Sequence, residues 1–144
     1  MEERLRKLKD VSTEEEYHKQ HEEFCRWFTR TIRQAKTQKS ASWGQAAKIL
    51  DVALKVCVYY CSLPSERVAE RVLPWLNPAI DTPLLKDLKR RYDFSGASTL
   101  AEIDREKYEE LQKIIRTDIE RSFNGEVYPV QYDDIKWREL NRNS

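Results

Sequence analysis

The chain has 144 residues, with 26 basic side chains against 25 acidic ones, a net charge of +1, and 35% charged residues overall. That length fits one domain that buries a core without help from disulfides or metal. Three glycines and five prolines among so many charges favour helices with solvated outer faces over a β-rich fold. The even balance excludes a dedicated, non-specific nucleic-acid binder, which carries a larger basic excess, but leaves local basic patches open.

Residues 1–10 read as a charged stretch, a frayed lead-in or a short helix, whose sizeable apolar side chains after Met1 are Leu5 and Leu8. The segment has no apolar h-region, so it does not read as a signal peptide. Ser12 then opens a capping box with Glu15, and the helix that follows is expected to run to about Lys36. Tyr17, His21, Phe24, Phe28, Ile32 and Ala35 recur at three- and four-residue steps and form its inner face, which Cys25 and Trp27 widen. The polar segment KTQKSAS ends it as a loop.

Ser42 opens a second capping box, SWGQ, with Gln45 at its third helical position. The helix from Trp43 to about Cys61 is apolar around most of its circumference, which predicts a central helix surrounded by others. Its longest apolar run, within 49–61, is interrupted by Asp51 and Lys55 and is too short to span a bilayer, so no membrane contact is expected. Ser65 caps a short helix that stops before Pro74, and a proline-rich loop leads to Asp81 or Thr82, the cap of the next helix, with Pro83 in its first turn. Asp104 is expected to cap a long helix from about Arg105 to Phe123, stopped by Asn124-Gly125. In the tail, 126–144, Pro129 predicts an extended start, followed by a short helix carrying Ile135, Trp137 and Leu140 that docks on the body. The expectation is an all-α single domain, 1–144, of about five or six helices around the helix 43–61, closed on one side by the aromatic tail.

The central helix keeps polar residues on one flank. At 100° per residue from Gln45, Lys48 falls at about 300°, Asp51 at about 240°, Lys55 at about 280° and Tyr59 at about 320°. Asp51 precedes Lys55 by four residues, the favourable order for a helical ion pair. The flank reads in two ways. It is the solvated face of the helix, or it lines a cleft in which two lysines beside one carboxylate hold an anion, joined by Asp81 if its loop folds over the helix.

The start SWGQAAK, leading into a long apolar helix that ends in YYC, resembles a pattern in uncharacterised bacterial all-helical proteins. In these a Ser-aromatic-Gly-Gln/Lys-Ala-x-Lys start precedes a similar helix, then a short Asp-containing loop and another helix. The likeness covers residues 42–90, with AIDTPLLKDLK in the place of the Asp loop. It implies a helical fold and no particular activity.

Two basic clusters stand near helix ends: Arg30, Arg33, Lys36 and Lys39, and Lys86, Lys89, Arg90 and Arg91. Cations there complement the helix dipole; if the clusters converge they offer a nucleic-acid backbone site. His18 and His21, three apart, match no metal-ligand pattern, and neither metal nor cofactor is expected. Three cysteines, on apolar helical faces, read as free thiols of a reducing, cytoplasmic setting. No nucleophile elbow, Gly-rich phosphate loop or Ser–His–Asp set occurs, so no catalytic residue is assigned. The first functional reading is a non-enzymatic interaction or accessory protein with a protein partner or a second copy of itself. The alternatives are a nucleic-acid-associated protein using the basic helix ends, and a small enzyme or anion binder built on Lys48, Asp51 and Lys55.

Overall fold

The computed structural model describes residues 1–142. Within them the chain forms seven α-helices and no strand: α1 (Glu2–Lys7), α2 (Glu14–Thr31), α3 (Trp43–Leu54), α4 (Glu66–Val72), α5 (Thr82–Tyr92), α6 (Arg105–Phe123) and α7 (Pro129–Arg142). Single 3₁₀ turns follow α1 and α4 and precede α6. The fold is the all-α bundle that the composition and the 3.6-residue periodicity predict. No helix among the described residues is long and apolar enough to cross a membrane.

Capping sets most helix starts. Ser42 and Gln45 form the expected reciprocal box, with the Gln45 amide 3.1 Å from the Ser42 Oγ and the Ser42 amide 2.9 Å from the Gln45 Oε1. The Ser42 hydroxyl also donates to the Leu100 carbonyl at 2.6 Å, tying the start of α3 to the turn before α6. Asp81 accepts from the Leu84 amide at 2.8 Å and Asp104 from the Lys107 amide at 2.9 Å, so both carboxylates act as the predicted N-caps. For α2 the cap lies one residue beyond the predicted Ser12. Thr13 accepts from the Glu16 amide, while the Glu16 carboxylate reaches back to the Ser12 amide.

Gly44 brings α3 against the turn before α6. A Cβ there would stand 2.6 Å from the Ile103 Cβ and 2.8 Å from the Leu100 carbonyl oxygen. This close approach, with a 3.0 Å bond from the Gly44 amide to the Ile103 carbonyl, fixes where α3 crosses the chain leading into α6. Helix α3 also packs along α2 and α6, and its inner side contributes Ala46, Ala47, Leu50 and Leu54 to the core.

Four expectations about these elements change. Helix α2 ends at Thr31, short of Lys36, because residues 32–41 fold back on themselves. The Ala41 amide bonds the Ile32 carbonyl and the Gln34 amide the Lys39 carbonyl, around Gln38 at φ 56°. Trp27, placed on the inner face by periodicity, is half exposed, since it sits one step outside the row Tyr17, His21 and Phe24. The helix begun at Trp43 is not surrounded. It is α-helical to Leu54 and π-helical over Lys55–Tyr60, and its outer side stays open to solvent. Finally, the helix of the tail is longer than the short one expected, running over 14 residues. Pro129 is the first residue of α7, where its missing N–H leaves no bond unmade, and Tyr128 takes the place outside the helix, its amide held by the Gln131 side chain at 2.9 Å. Helix α7 docks through Val130 and Tyr132, both fully buried, while Trp137 faces outward.

Candidate functional site

The polar flank of α3 divides among four separate contacts. Gln45 belongs to the capping box. Asp51 is buried, with 2% of its surface exposed, and points toward α2 and α6. The Lys55 ammonium lies 2.5 Å from Asp133 and 3.0 Å from Asp134, on α7, and the Tyr60 hydroxyl donates to Asp134. The Tyr59 hydroxyl accepts from Gln131 at 2.9 Å. Lys48 is half-buried and has no carboxylate within 4 Å among the described residues. Asp51 and Lys55 thus take different partners, and Asp81 stays with the start of α5. The lysines and the aspartate do not converge on one cleft.

The partners of Asp51 are His21 and Tyr108. The His21 Nε2 donates to Asp51 Oδ1 at 2.8 Å, and the Tyr108 hydroxyl donates to Asp51 Oδ2 at 2.6 Å. The two rings stack with centroids 5.6 Å apart and planes at 17°. On its other side, the His21 Nδ1 meets the Cys25 sulfur at 3.8 Å. Burial alone would drive the imidazolium to its neutral form. The Asp51 charge and hydrogen bond reverse this and lift the His21 pKa to about 10, so the ring is cationic at neutral pH. Burial, then the same carboxylate, pushes the Tyr108 hydroxyl well above its ordinary value, so it remains a donor.

Periodicity places His21 on the apolar face of α2 and Tyr108 on that of α6, but no local spacing links either to Asp51. A signal was present, since His21 and Asp51 each stand amid apolar residues on their own helix. An ionisable group on a buried face needs a counterpart on the facing helix.

Beside this triad lies a cavity of about 340 Å³ between α2, α3 and α6. His21, Tyr108 and Trp43 give it ring surfaces. Glu109, Gln112, Lys113 and Arg116, at i, i+3, i+4 and i+7 along α6, supply its polar wall. Arg116 donates to the buried Asn77 side chain at 3.0 Å. Arg105 takes both acidic wall residues, Glu22 at 2.5 Å and Glu109 at 3.1 Å.

A second polar hub joins α5, α6 and α7. The buried Asp118 carboxylate accepts from Tyr132 at 2.6 Å, Ser122 at 2.9 Å and Arg91 at 3.2 Å, and from Tyr92. Burial works against its ionisation, but these donors prevail and hold its pKa at about 2. Asp87 binds Arg90 at 2.9 Å and Arg91 at 2.8 Å. Two members of the second basic cluster are therefore tied to carboxylates of the fold, while Lys89 donates to Ser98 at 2.7 Å and Lys86 is exposed. Arg30, Arg33, Lys36 and Lys39 are exposed, with no carboxylate within 4 Å among the described residues.

The outer side of α3 and of the π-helical segment after it carries a row of exposed apolar side chains. Ile49, Val52, Val56 and Tyr60 follow one another at three- and four-residue steps, with exposures of 49%, 38%, 45% and 56%, and Leu63 continues the row. At the Ile49 end the row enters a groove of about 480 Å³ floored by Phe28, Ile32 and Ala41 and edged by Arg33 and Lys36.

Comparison with models of protein families, with curated proteins and with solved structures finds no match to this chain.

Proposed function

We propose that this protein is a non-enzymatic helical interaction module of the cytoplasm that docks a protein partner on the outer side of α3 and in the adjoining groove. The observation that carries the reading is the exposed row Ile49, Val52, Val56, Tyr60 and Leu63. Single exposed apolar side chains are ordinary, but a contiguous row marks a contact surface. The spacing suits a partner helix laid along the row. Chemistry narrows the partner further. Arg33 and Lys36 line the groove and Lys48 adjoins Ile49 on the helix, none with a carboxylate within 4 Å among the described residues, so the complementary segment is apolar on one side and acidic along its edge.

The arrangement at His21 supports the non-enzymatic part of the reading. Both ring nitrogens point inward, to Asp51 and Cys25, which leaves no ring nitrogen for proton transfer to a bound molecule. The cytoplasmic setting rests on three cysteines carried as free thiols.

The test pairs the native protein with a Val52→Lys, Val56→Lys variant. Both are used as bait in affinity capture, and both are followed by light scattering over a concentration series. The reading expects an association, with another protein or with a second copy, that the variant loses while keeping its melting temperature. Equal association by both proteins would refute it. Salt-sensitive retention of DNA or RNA that disappears when Arg30, Arg33, Lys36 and Lys39 are replaced by Gln would move the function to nucleic acid.

A further inference from the structure

We infer that the cavity between α2, α3 and α6 is a binding site for a small aromatic acid, a flat ring bearing one carboxylate or phosphate, and that it is independent of the docking face on α3.

Three features define the ligand. First, the cavity of about 340 Å³ falls in the size range of small-molecule pockets, and the rings of His18, His21, Trp43 and Tyr108 are among the groups that line it. His21 and Tyr108 stack on each other and direct polar atoms to Asp51, so what borders the cavity is the carbon part of a rigid ring pair. Trp43 supplies a third ring, steadied by the Arg105 guanidinium 5.8 Å from its centroid. Surfaces of this kind receive a planar group.

Second, the charge at the cavity that has no ion-pair partner among the described residues is positive. Its two carboxylates, Glu22 and Glu109, are both bound by Arg105. Its two cations on α6, Lys113 and Arg116, have no carboxylate within 4 Å among the described residues. Arg116 is also pre-positioned, since Asn77, itself only 4% exposed, holds one guanidinium nitrogen at 3.0 Å. A guanidinium fixed in this way at a cavity wall favours a carboxylate or phosphate.

Third, the wall contains a side chain locked in place from behind. Gln112 is 7% exposed, and its Nε2 donates to the Pro78 carbonyl at 3.4 Å. That bond fixes the orientation of the amide, because a carbonyl accepts only from the nitrogen end. The Gln112 Oε1 is then left buried without a partner. Closed off from solvent, that oxygen takes no bond from a ligand, and the amide serves the site as a rigid part of its wall.

Isothermal titration and ligand-observed NMR test the site with 4-hydroxybenzoate and phenyl phosphate, against 4-hydroxybenzyl alcohol and inorganic phosphate. At least one of the two aromatic acids should bind saturably. The neutral alcohol and the ring-free anion should each bind about tenfold or more weakly, a difference of roughly 1.4 kcal/mol. A Lys113→Gln, Arg116→Gln variant should lose the same tenfold, and Lys113→Gln alone, which leaves the bond from Arg116 to the buried Asn77 intact, should weaken the acids while keeping its melting temperature. Trp43→Ala should weaken the aromatic acids and leave inorganic phosphate unchanged. If neither acid saturates, if the alcohol binds as tightly, or if the α6 variant binds unchanged, the inference fails. None of these readouts involves Val52 or Val56, so the outcome is separate from that of the docking test.

Discussion

His21 on α2 and Asp51 on α3 form a buried ion pair at 2.8 Å, with 5% of the histidine side chain and none of the aspartate side chain exposed to solvent. Tyr108 brings α6 into the same contact through the second carboxylate oxygen. The three long helices around the cavity are thus registered by one carboxylate. Breaking such a pair from one side leaves an uncompensated charge in the core, which costs about 3–5 kcal/mol. Asp51→Ala should therefore lose at least that much in urea denaturation. The pair as a whole is worth less than its disruption suggests, so His21→Leu combined with Asp51→Leu should be more stable than Asp51→Ala alone. A double variant that is the less stable of the two would show that the charges contribute net stability.

The same pair sets the alkaline limit of stability. The folded His21 pKa of about 10 lies above the ordinary histidine value of 6.5. Between the two the folded chain keeps a proton that the unfolded chain has released, so unfolding free energy declines as pH rises. The contribution is complete below 6.5 and lost as pH passes through about 10. Cys25, Tyr17 and Tyr108 also face the ring, and both phenols are pushed upward by burial and by the Asp51 charge, which keeps them neutral over this window. Melting temperatures taken from pH 6 to about 10 should fall steadily in the native protein. The slope should flatten in the His21→Leu, Asp51→Leu variant, and an unchanged slope there would assign the effect elsewhere.

Asp118 governs the acid side. Its folded pKa of about 2 is depressed below the ordinary 3.8, so its contribution is present above 3.8 and is lost as pH falls through about 2. Tyr132, Tyr92, Ser122 and Arg91 would lose their common acceptor at that point. Asp118→Asn should lower stability at neutral pH and weaken the acid dependence, as followed by circular dichroism. Retention of the full acid transition in that variant would contradict the assignment.

The contact between α3 and the chain entering α6 depends on the absence of a side chain at Gly44. Gly44→Ala would place a Cβ 2.6 Å from the Ile103 Cβ and 2.8 Å from the Leu100 carbonyl. Backbone has to shift, at a cost of about 1–3 kcal/mol. Intrinsic helix propensity pulls the other way, since Ala is favoured over Gly by roughly 1 kcal/mol in a helix interior. Crowding against backbone should win, and thermal denaturation should show a lower melting temperature. An increase would mean that Ile103 yields without strain.

These contacts show how far the sequence is readable. Ser42, Asp81 and Asp104 were legible as caps because a cap is a local pattern, settled within four residues of the chain. The inner faces of α2 and α6 were legible for the same reason. Asp51 and Lys55 were read as a pair because they stand four apart, yet each bonds to a different distant helix. Partners 30 and 78 residues away are fixed by packing, to which local spacing is blind. The open side of α3 was illegible for a related reason. Apolar residues all around a helix fit burial by neighbours or by a partner equally well, and only the arrangement of the other helices leaves Val52 and Val56 exposed.

That open side gives the most direct separation of stability from function. Val52 and Val56 are 38% and 45% exposed, so charging them removes little core contact. Substitutions at such positions usually change stability by no more than about 0.5 kcal/mol. Val52→Lys with Val56→Lys should therefore melt close to the native protein while losing association, because two charges set into an apolar contact must be desolvated without partners. Leu54, on the opposite side of the same helix and only 4% exposed, supplies the control. Leu54→Ala should cost about 2–5 kcal/mol through loss of packing, and should spare association at temperatures where the variant remains folded. If the valine variant melted far below the native protein, the row would belong to the fold rather than to a contact surface.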